Sequence, residues 1–378
     1  MSTNSYDVAI IGGGVIGTGI LYTLSKYTDI ENIALIEKEK ELAQGVSHKT
    51  NNSQTLHFGD IETNYDVEKS RKVKQDADLV KNYVHMHENE DLYSKDHKMV
   101  LAVGKDEVER LEERYEGYKK LFPELKKYNK EQIAEIEPRV VEGRDEDTEL
   151  LALVSPDGYR MNFGEIAQSF AKHAQEVGKN VDTYLNTKIK KINKKDGGGY
   201  ILENEGKKIE ADVVAVCTGG YSLKFAYQLG YGKELIILPV EGSFFKAKNM
   251  VNGKVYMMQD PKLPFAAIHA DADVENIKET RFGPVSRVLP MLEKGNLKSV
   301  KDFFDIFEFR LNAVLSLFNI LLDWTYFQYV LMQLIYDIPF LGKYFYLREA
   351  RKIIPNIRYR DLKMAKDIGG IRPQIVNV

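Results

Sequence analysis

The sequence has little of several things, and each shortage excludes something. One cysteine, Cys217, stands among 378 residues, which rules out an intramolecular disulfide framework and fits a reducing compartment. Charge of neither sign dominates. With 53 Lys and Arg against 56 Asp and Glu the net charge is −3, and nothing in that balance calls for nucleic acid. The apolar N-terminus has no basic leader and is interrupted by glycines, so it reads as strand and helix, not as a secretory signal; the expected location is cytoplasmic. The seven histidines show no ligand spacing and the cysteine falls on an apolar strand, so no metal site is indicated. A membrane span needs about twenty largely apolar residues in one run. The most apolar stretch, 303–345, is broken by Asp323, Gln328, Gln333 and Asp337. Two or more core helices are its plain reading, and a face touching a membrane surface is the sharper one.

The length exceeds what one core organises, so two domains are expected. At the front, Tyr6 to Ile11 is a short apolar run that reads as a buried strand. It ends in Gly12-Gly13-Gly14-Val15-Ile16-Gly17, a G-x-G-x-x-G sequence. Helix-compatible residues follow from Thr18 to Tyr27, then a second apolar run, Ile33 to Ile36, stops at Glu37. Gly12 permits the tight turn, Gly14 lets a pyrophosphate reach the backbone, and Gly17 lets helix and sheet pack closely. Glu37 then accepts hydrogen bonds from an adenosine ribose. The unit by itself leaves FAD and NAD both open.

A charged loop beginning at Lys38 leads into an amide- and hydroxyl-rich stretch, Ser47 to Gly59, which includes Ser53 and Gln54. It is too polar for core, and it offers many donors to a cofactor's phosphates and ring. Helices are predicted over 65–87, 107–121 and 163–176, with a short one at 133–138 stopped by Pro138. A strand is predicted at 98–103, and strands at 187–192, 200–203 and 209–216, joined by glycine-containing hairpin turns, make a meander. The last of these runs into Cys217-Thr218-Gly219. A second buried strand ending in glycine after a meander is how two-dinucleotide-fold flavoproteins close over FAD, and it decides between the cofactors better than the first motif does. Further strands at 238–247, 254–258 and 265–270 predict an antiparallel sheet in the second half.

With the glycine unit, Asn52 to His57, Pro239 to Phe244, Pro261 to His269, Thr280 to Pro284 and the Gly370-Ile371-Arg372-Pro373 element in hand, the sequence resembles the FAD-dependent malate:quinone oxidoreductases. These lie within the D-amino-acid-oxidase-like flavoprotein superfamily. The resemblance covers nearly the whole chain. It implies an α/β fold: a Rossmann-like FAD-binding domain, with a parallel sheet plus β-meander, beside a second α+β substrate domain built on an antiparallel sheet. Residues 1–90, 151–228 and 366–378 would belong to the first, 91–150 and 229–365 to the second. It implies oxidation of (S)-malate, a 2-hydroxy dicarboxylate, to oxaloacetate, with electrons passed to a membrane quinone and a peripheral contact on the cytoplasmic face of the inner membrane. The implied FAD contacts are Gly12, Gly13, Gly14, Val15, Ile16, Gly17, Glu37, Lys38, Ser53, Gln54, Ile189, Thr218 and Gly219. One departure stands out. The family continues past the Arg-Pro element through a strand, a flavin loop and a closing helix, whereas this sequence stops at Val378, so a shortened chain with weak FAD binding and negligible turnover is expected.

Removing a hydride and a proton from malate requires a base and two anion holders. His57 and His269 are the candidate bases, because a neutral imidazole has a pKa near working pH; the plainer reading of each is a hydrogen-bonded core histidine. Arg281 and Arg372 are the candidate carboxylate holders, since a guanidinium fork matches a carboxylate; a salt bridge is the plainer reading. Tyr256 could add a hydroxyl, though a strand tyrosine is more often packing. Competing readings are a flavoenzyme for another 2-hydroxy or 2-amino acid, such as 2-hydroxyglutarate, and a non-catalytic flavoprotein-like module.

Overall fold

The structure, a computed structural model, describes residues 4–88, 90–259, 267–274, 276–307, 311–336, 338 and 340–377. In chain order its first half runs β1 (Asn4–Ile11), α1 (Val15–Tyr27), β2 (Asn32–Ile36), β3 (Thr55–Leu56), α2 (Val67–Met86), β4 (Tyr93–Val103), α3 (Lys105–Tyr118), β5 (Lys126–Tyr128), α4 (Lys130–Ile136), α5 (Pro138–Val141), β6 (Leu150–Met161), α6 (Phe163–Glu176) and β7 (Asn180–Tyr184). Then come β8 (Lys191–Lys194), β9 (Tyr200–Glu203), β10 (Lys208–Val216), α7 (Ser222–Gln228), β11 (Leu235–Lys248), β12 (Lys254–Met257), β13 (His269–Ala272) and β14 (Glu279–Val288). The helices α8 (Lys298–Phe307), α9 (Leu311–Leu322), α10 (Trp324–Ile335) and α11 (Leu341–Ile353) precede the final strand β15 (Lys363–Asn377).

These strands form two sheets. The smaller has the order β7-β2-β1-β10-β9-β8, parallel from β7 to β10 and antiparallel through the meander. Its central strands are apolar because they are covered on both faces: Ala9, Ile10, Ile33, Ala34 and Leu35 are fully buried. The larger has the order β15-β11-β14-β13-β12-β4-β6-β3, with β5 also on β6. Of its pairings only β12 with β4 is parallel. The expected α/β architecture, a parallel sheet with a meander beside a mostly antiparallel sheet, is what the chain adopts.

Several local expectations are corrected. The segment 187–190 is not strand: Thr187 N–H donates to Glu37 O at 2.8 Å and Lys190 N–H to Glu203 O at 2.9 Å, so the chain crosses the sheet's end before β8 begins. Pro138 ends a helix as expected, α4 closing at Ile136, and it then opens α5 from the first position, where its missing N–H costs nothing. The boundary expected at 150/151 moves, because β6 pairs along β4 from Tyr93↔Met161 to Val103↔Leu150 and so belongs to the larger sheet. The boundary expected at 365/366 moves too: β15 pairs with β11 from Lys246↔Lys363 to Leu235↔Asn377, and 366–377 stays in that sheet.

The apolar stretch 303–345 is only partly core. Phe303, Ile306 and Phe307 of α8 are buried against Leu223, Ile236 and Leu292. By contrast Leu311, Leu315, Phe318, Leu322 and Trp324 of α9 and α10 are exposed, Leu311 at 73% and Trp324 at 67%. Gln333 explains one polar interruption, since its Oε1 accepts Ser286 N–H at 2.9 Å and pins α10 to β14. Residues 260–266, part of one predicted strand and one resemblance motif, lie outside the described residues.

Candidate active site

At the carboxyl ends of β1, β2 and β10 three strand ends are tied together. Gly12 N–H donates to Ile36 O at 2.8 Å and Cys217 N–H to Ile11 O at 2.7 Å. Gly12 has φ +111°, and a Cβ there would stand 2.3 Å from Cys217 O; a Cβ on Gly17 would stand 1.9 Å from Gly12 O. Both positions therefore need glycine to build the turn and to seat α1. Gly14 differs, because its backbone is extended and its Cβ would meet only Ser47 Oγ, at 3.0 Å.

The first turn of α1 has no side-chain cap from Gly14. Gly13 N–H donates to Glu37 Oε2 at 2.6 Å and Val15 N–H to Ser47 Oγ at 2.9 Å. Those of Gly14 and Ile16 have no acceptor among the described residues. Free N–H groups at the positive end of a helix suit a diphosphate. Glu37 is buried at the end of β2, where a ribose acceptor belongs. Lys38 is bound to Glu293 and lies over the Tyr221 ring. Ile189 is buried with Ile11 and Ile36 in the core of the smaller sheet, and Thr218 and Gly219 follow β10, Thr218 Oγ1 lying 3.2 Å from Ser222 Oγ. Ser53 and Gln54 sit in the polar loop. Gln54 adopts φ +53° and ties that loop to the β13–β14 connection, its Nε2 donating to Lys49 O and its Oε1 accepting Val274 N–H, each at 3.0 Å.

That loop also touches β15. Gly369 N–H donates to Thr50 O at 2.7 Å, and a Cβ on Gly370 would stand 2.2 Å from Asn51 O. The close approach requires glycine, and it delivers Arg372, two residues on, to a cleft of about 500 Å³ lined also by His57, Glu62, Lys69 and Tyr256. His57 follows β3, and its Nδ1 is 2.5 Å from Glu62 Oε1. Its Nε2 has no partner among the described residues. Burial by itself would raise the Glu62 carboxyl; the hydrogen bond and charge of His57, together with Lys98, outweigh it and hold the group down at about 2. A carboxylate at Nδ1 fixes the proton there and leaves the Nε2 lone pair to act as a base. Arg372 makes one long bond, Nη2 to Ser286 Oγ at 3.4 Å, and no ion pair among the described residues, so its fork is open to an anion.

The other two candidates do not reach the cleft. The register of β12 with β13 sets Tyr256 opposite His269 and Lys254 opposite Asp271. His269 is accordingly buried behind Tyr256, ring centroids 4.6 Å apart, with Nδ1 hydrogen-bonded to Asp271. Burial lowers its pKa against the pull of Asp271, with Lys254 and Arg281 adding to the lowering. Burial likewise pushes the Lys254 ammonium down to about 8, against Asp271 and with Arg281, Arg160 and Lys98. The Tyr256 hydroxyl is driven well above its usual range by burial and by the Asp271 charge, so it stays a donor. His269 is a core histidine of this polar ladder, the plainer of its two readings.

Arg281 is fully buried. Its Nη2 donates to Asn52 O at 2.9 Å, Asp273 lies 3.6 Å from Nη1, and the Phe244 ring centroid is 4.5 Å from its guanidinium carbon. Its Nε and Nη1 have no hydrogen-bond acceptor among the described residues. Buried donors left unmade ask for a partner, and beside the polar loop a carbonyl-bearing ring system such as a flavin would supply one. Arg281 lies outside the cleft, against the polar loop that carries Asn52 and Ser53.

Glu62, Lys69, Lys254 and Asp271 escaped the sequence reading. Asp271 was findable, being two residues from His269 on a strand and so on the same face. Glu62 and Lys69 had no local signal, for the turn that brings them to His57 is held from outside by Arg114 of α3, which donates to Glu62 O at 2.7 Å and Tyr65 O at 2.9 Å.

The sequence profile of the FAD dependent oxidoreductase family matches residues 7–300. The chain is 38% identical to a protein of Campylobacter jejuni described as a probable malate:quinone oxidoreductase, over 100% of this chain and 86% of that one. It is 36% identical to a malate:quinone oxidoreductase of Helicobacter pylori, over 98% and 84%. In fold it is similar to L-alpha-glycerophosphate oxidase of Mycoplasma pneumoniae, solved with FAD bound, at a TM-score of 0.69, 16% identity, and coverage of 99% of this chain and 84% of that one.

Proposed function

This chain belongs to the FAD-dependent oxidoreductases and, among them, to the malate:quinone oxidoreductases, and from that premise we propose that malate is oxidised to oxaloacetate in the cleft of His57, Tyr256 and Arg372. The observation that carries the reading is a carboxylate-held imidazole with a free Nε2 and an unpaired guanidinium in one cavity. When bound, FAD supplies the hydride acceptor. The chain's own residues do the rest. His57 Nε2 accepts the hydroxyl proton, and the ionised Glu62 stabilises the imidazolium that results. Arg372 holds one carboxylate through its planar fork, and Tyr256 offers a phenol donor toward the substrate oxygens. The Gly14 and Ile16 N–H groups receive the diphosphate, and Glu37 the ribose. The experiment is malate-dependent reduction of a water-soluble quinone analogue by the flavin-loaded chain, run beside the same chain extended by a family-like C-terminal segment; no reduction with malate by either, or equal reduction with any 2-amino acid, sinks the reading.

Arg372→Lys keeps the charge and loses the fork. An apparent malate affinity weaker by about tenfold, or about 1.4 kcal/mol, is expected, with FAD content unchanged. Equal kinetics in variant and parent would take Arg372 out of the site.

A quinone dissolved in lipid has to be met at a lipid surface. No helix among the described residues is long and apolar enough to cross a membrane, but α9 and α10 expose Leu315, Phe318, Leu322 and Trp324. Exposed apolar side chains of this kind suit the interface plane of a bilayer, and we assign the membrane contact to them. Leu315→Glu with Phe318→Glu should abolish co-sedimentation with lipid vesicles while turnover with the water-soluble analogue persists. Undiminished vesicle binding would move the contact elsewhere.

A further inference from the structure

We propose that Lys69 is the second carboxylate holder and so the residue by which the site selects a dicarboxylate. The inference rests on the malate reading and deepens it. A substrate with two carboxylates needs two cationic partners. Of the two expected arginines only Arg372 lines the cleft, since Arg281 is buried beneath the polar loop. Lys69 is a second cation in the same cavity, and no carboxylate lies within ion-pairing distance of it among the described residues.

Its placement is locally unfavourable. Lys69 is in the first turn of α2, its N–H donating at 2.7 Å to the capping Asp66 Oδ1. A cation there opposes the helix dipole, at a cost of about 0.3–1 kcal/mol. What holds the ammonium is the Tyr65 ring, 4.0 Å below it. Tyr65 in turn is fixed through its carbonyl by Arg114 Nη1 at 2.9 Å and Tyr118 OH at 2.6 Å. The same turn supplies Glu62, which holds the base. One clamped segment, 62–69, therefore positions both the proton acceptor and a charge for the far end of the substrate. A cation resting on an aromatic face keeps its N–H donors for a carboxylate.

The test compares parent, Lys69→Met, Lys69→Gln and Lys69→Arg, each flavin-loaded. KM for malate should rise about tenfold or more in the Met and Gln variants, with kcat changing far less, and Lys69→Arg should recover most of the loss. Succinate, with two carboxylates, should lose inhibitory potency in step, whereas butyrate, with one, should not. Unchanged malate KM, or parallel losses for succinate and butyrate, overturns the assignment. A parent enzyme idle on malate but active on a monocarboxylate overturns the malate reading itself, and is told apart because it needs no variant.

Discussion

Gly14→Val should yield a chain that folds as the parent does and contains no FAD. The glycines of the turn are not equivalent. At Gly12 and Gly17 a Cβ would run into backbone oxygen, at 2.3 and 1.9 Å, so substitution there breaks the turn or unseats α1 and says nothing specific about a ligand. At Gly14 the backbone is extended, any residue can adopt it, and the nearest atom a Cβ would meet is the Ser47 hydroxyl, which has to shift a few tenths of an ångström while keeping its bond from Val15 N–H. What valine would fill is the space over the free Gly14 and Ile16 N–H groups, where the diphosphate is expected. A branched side chain cannot be rotated out of that space. Flavin affinity should fall on the order of hundredfold or more, about 2.7 kcal/mol, with the thermal midpoint of the flavin-free protein unchanged. Stoichiometric flavin in the purified variant would mean that the glycine turn serves the fold alone.

His57→Gln is expected to lower malate turnover by about two to four orders of magnitude, the usual range for removing a positioned acid–base group. Glutamine keeps a hydrogen-bond donor for Glu62 and approximates the ring's reach, so the 62–69 turn and malate binding should survive. Loss confined to kcat, with FAD content and KM nearly as in the parent, is the signature of a group that acts on the proton. Residual turnover above a tenth of the parent's would relieve His57 of the role.

The sequence by itself determined whatever depends on spacing along the chain. Tyr6 to Ile11 and Ile33 to Ile36 are almost wholly apolar, as a strand covered on both sides asks, whereas Val213 to Val216 reads the same in sequence yet leaves Val213 55% exposed. Gly12 and Gly17 are legible because the turn they make is local, and Glu37 because it ends the next strand. The meander was legible from its glycine turns, though its first strand was placed early because 187–190 has strand-like residues whose bonds go to Glu37 and Glu203 instead of a ladder. The tertiary structure alone decided which of the four candidate side chains line the cleft. His57 and His269 look alike in sequence, each flanked by apolar residues, and Arg281 looks as free as Arg372. Alternation along a strand tells which residues share a face, but what that face meets is set by neighbouring strands and loops far away in the chain. The register of β12 on β13 buries His269 under Tyr256, the Asn52 carbonyl captures Arg281, and Arg114 of α3 brings the 62–69 turn, with Glu62 and Lys69, around His57.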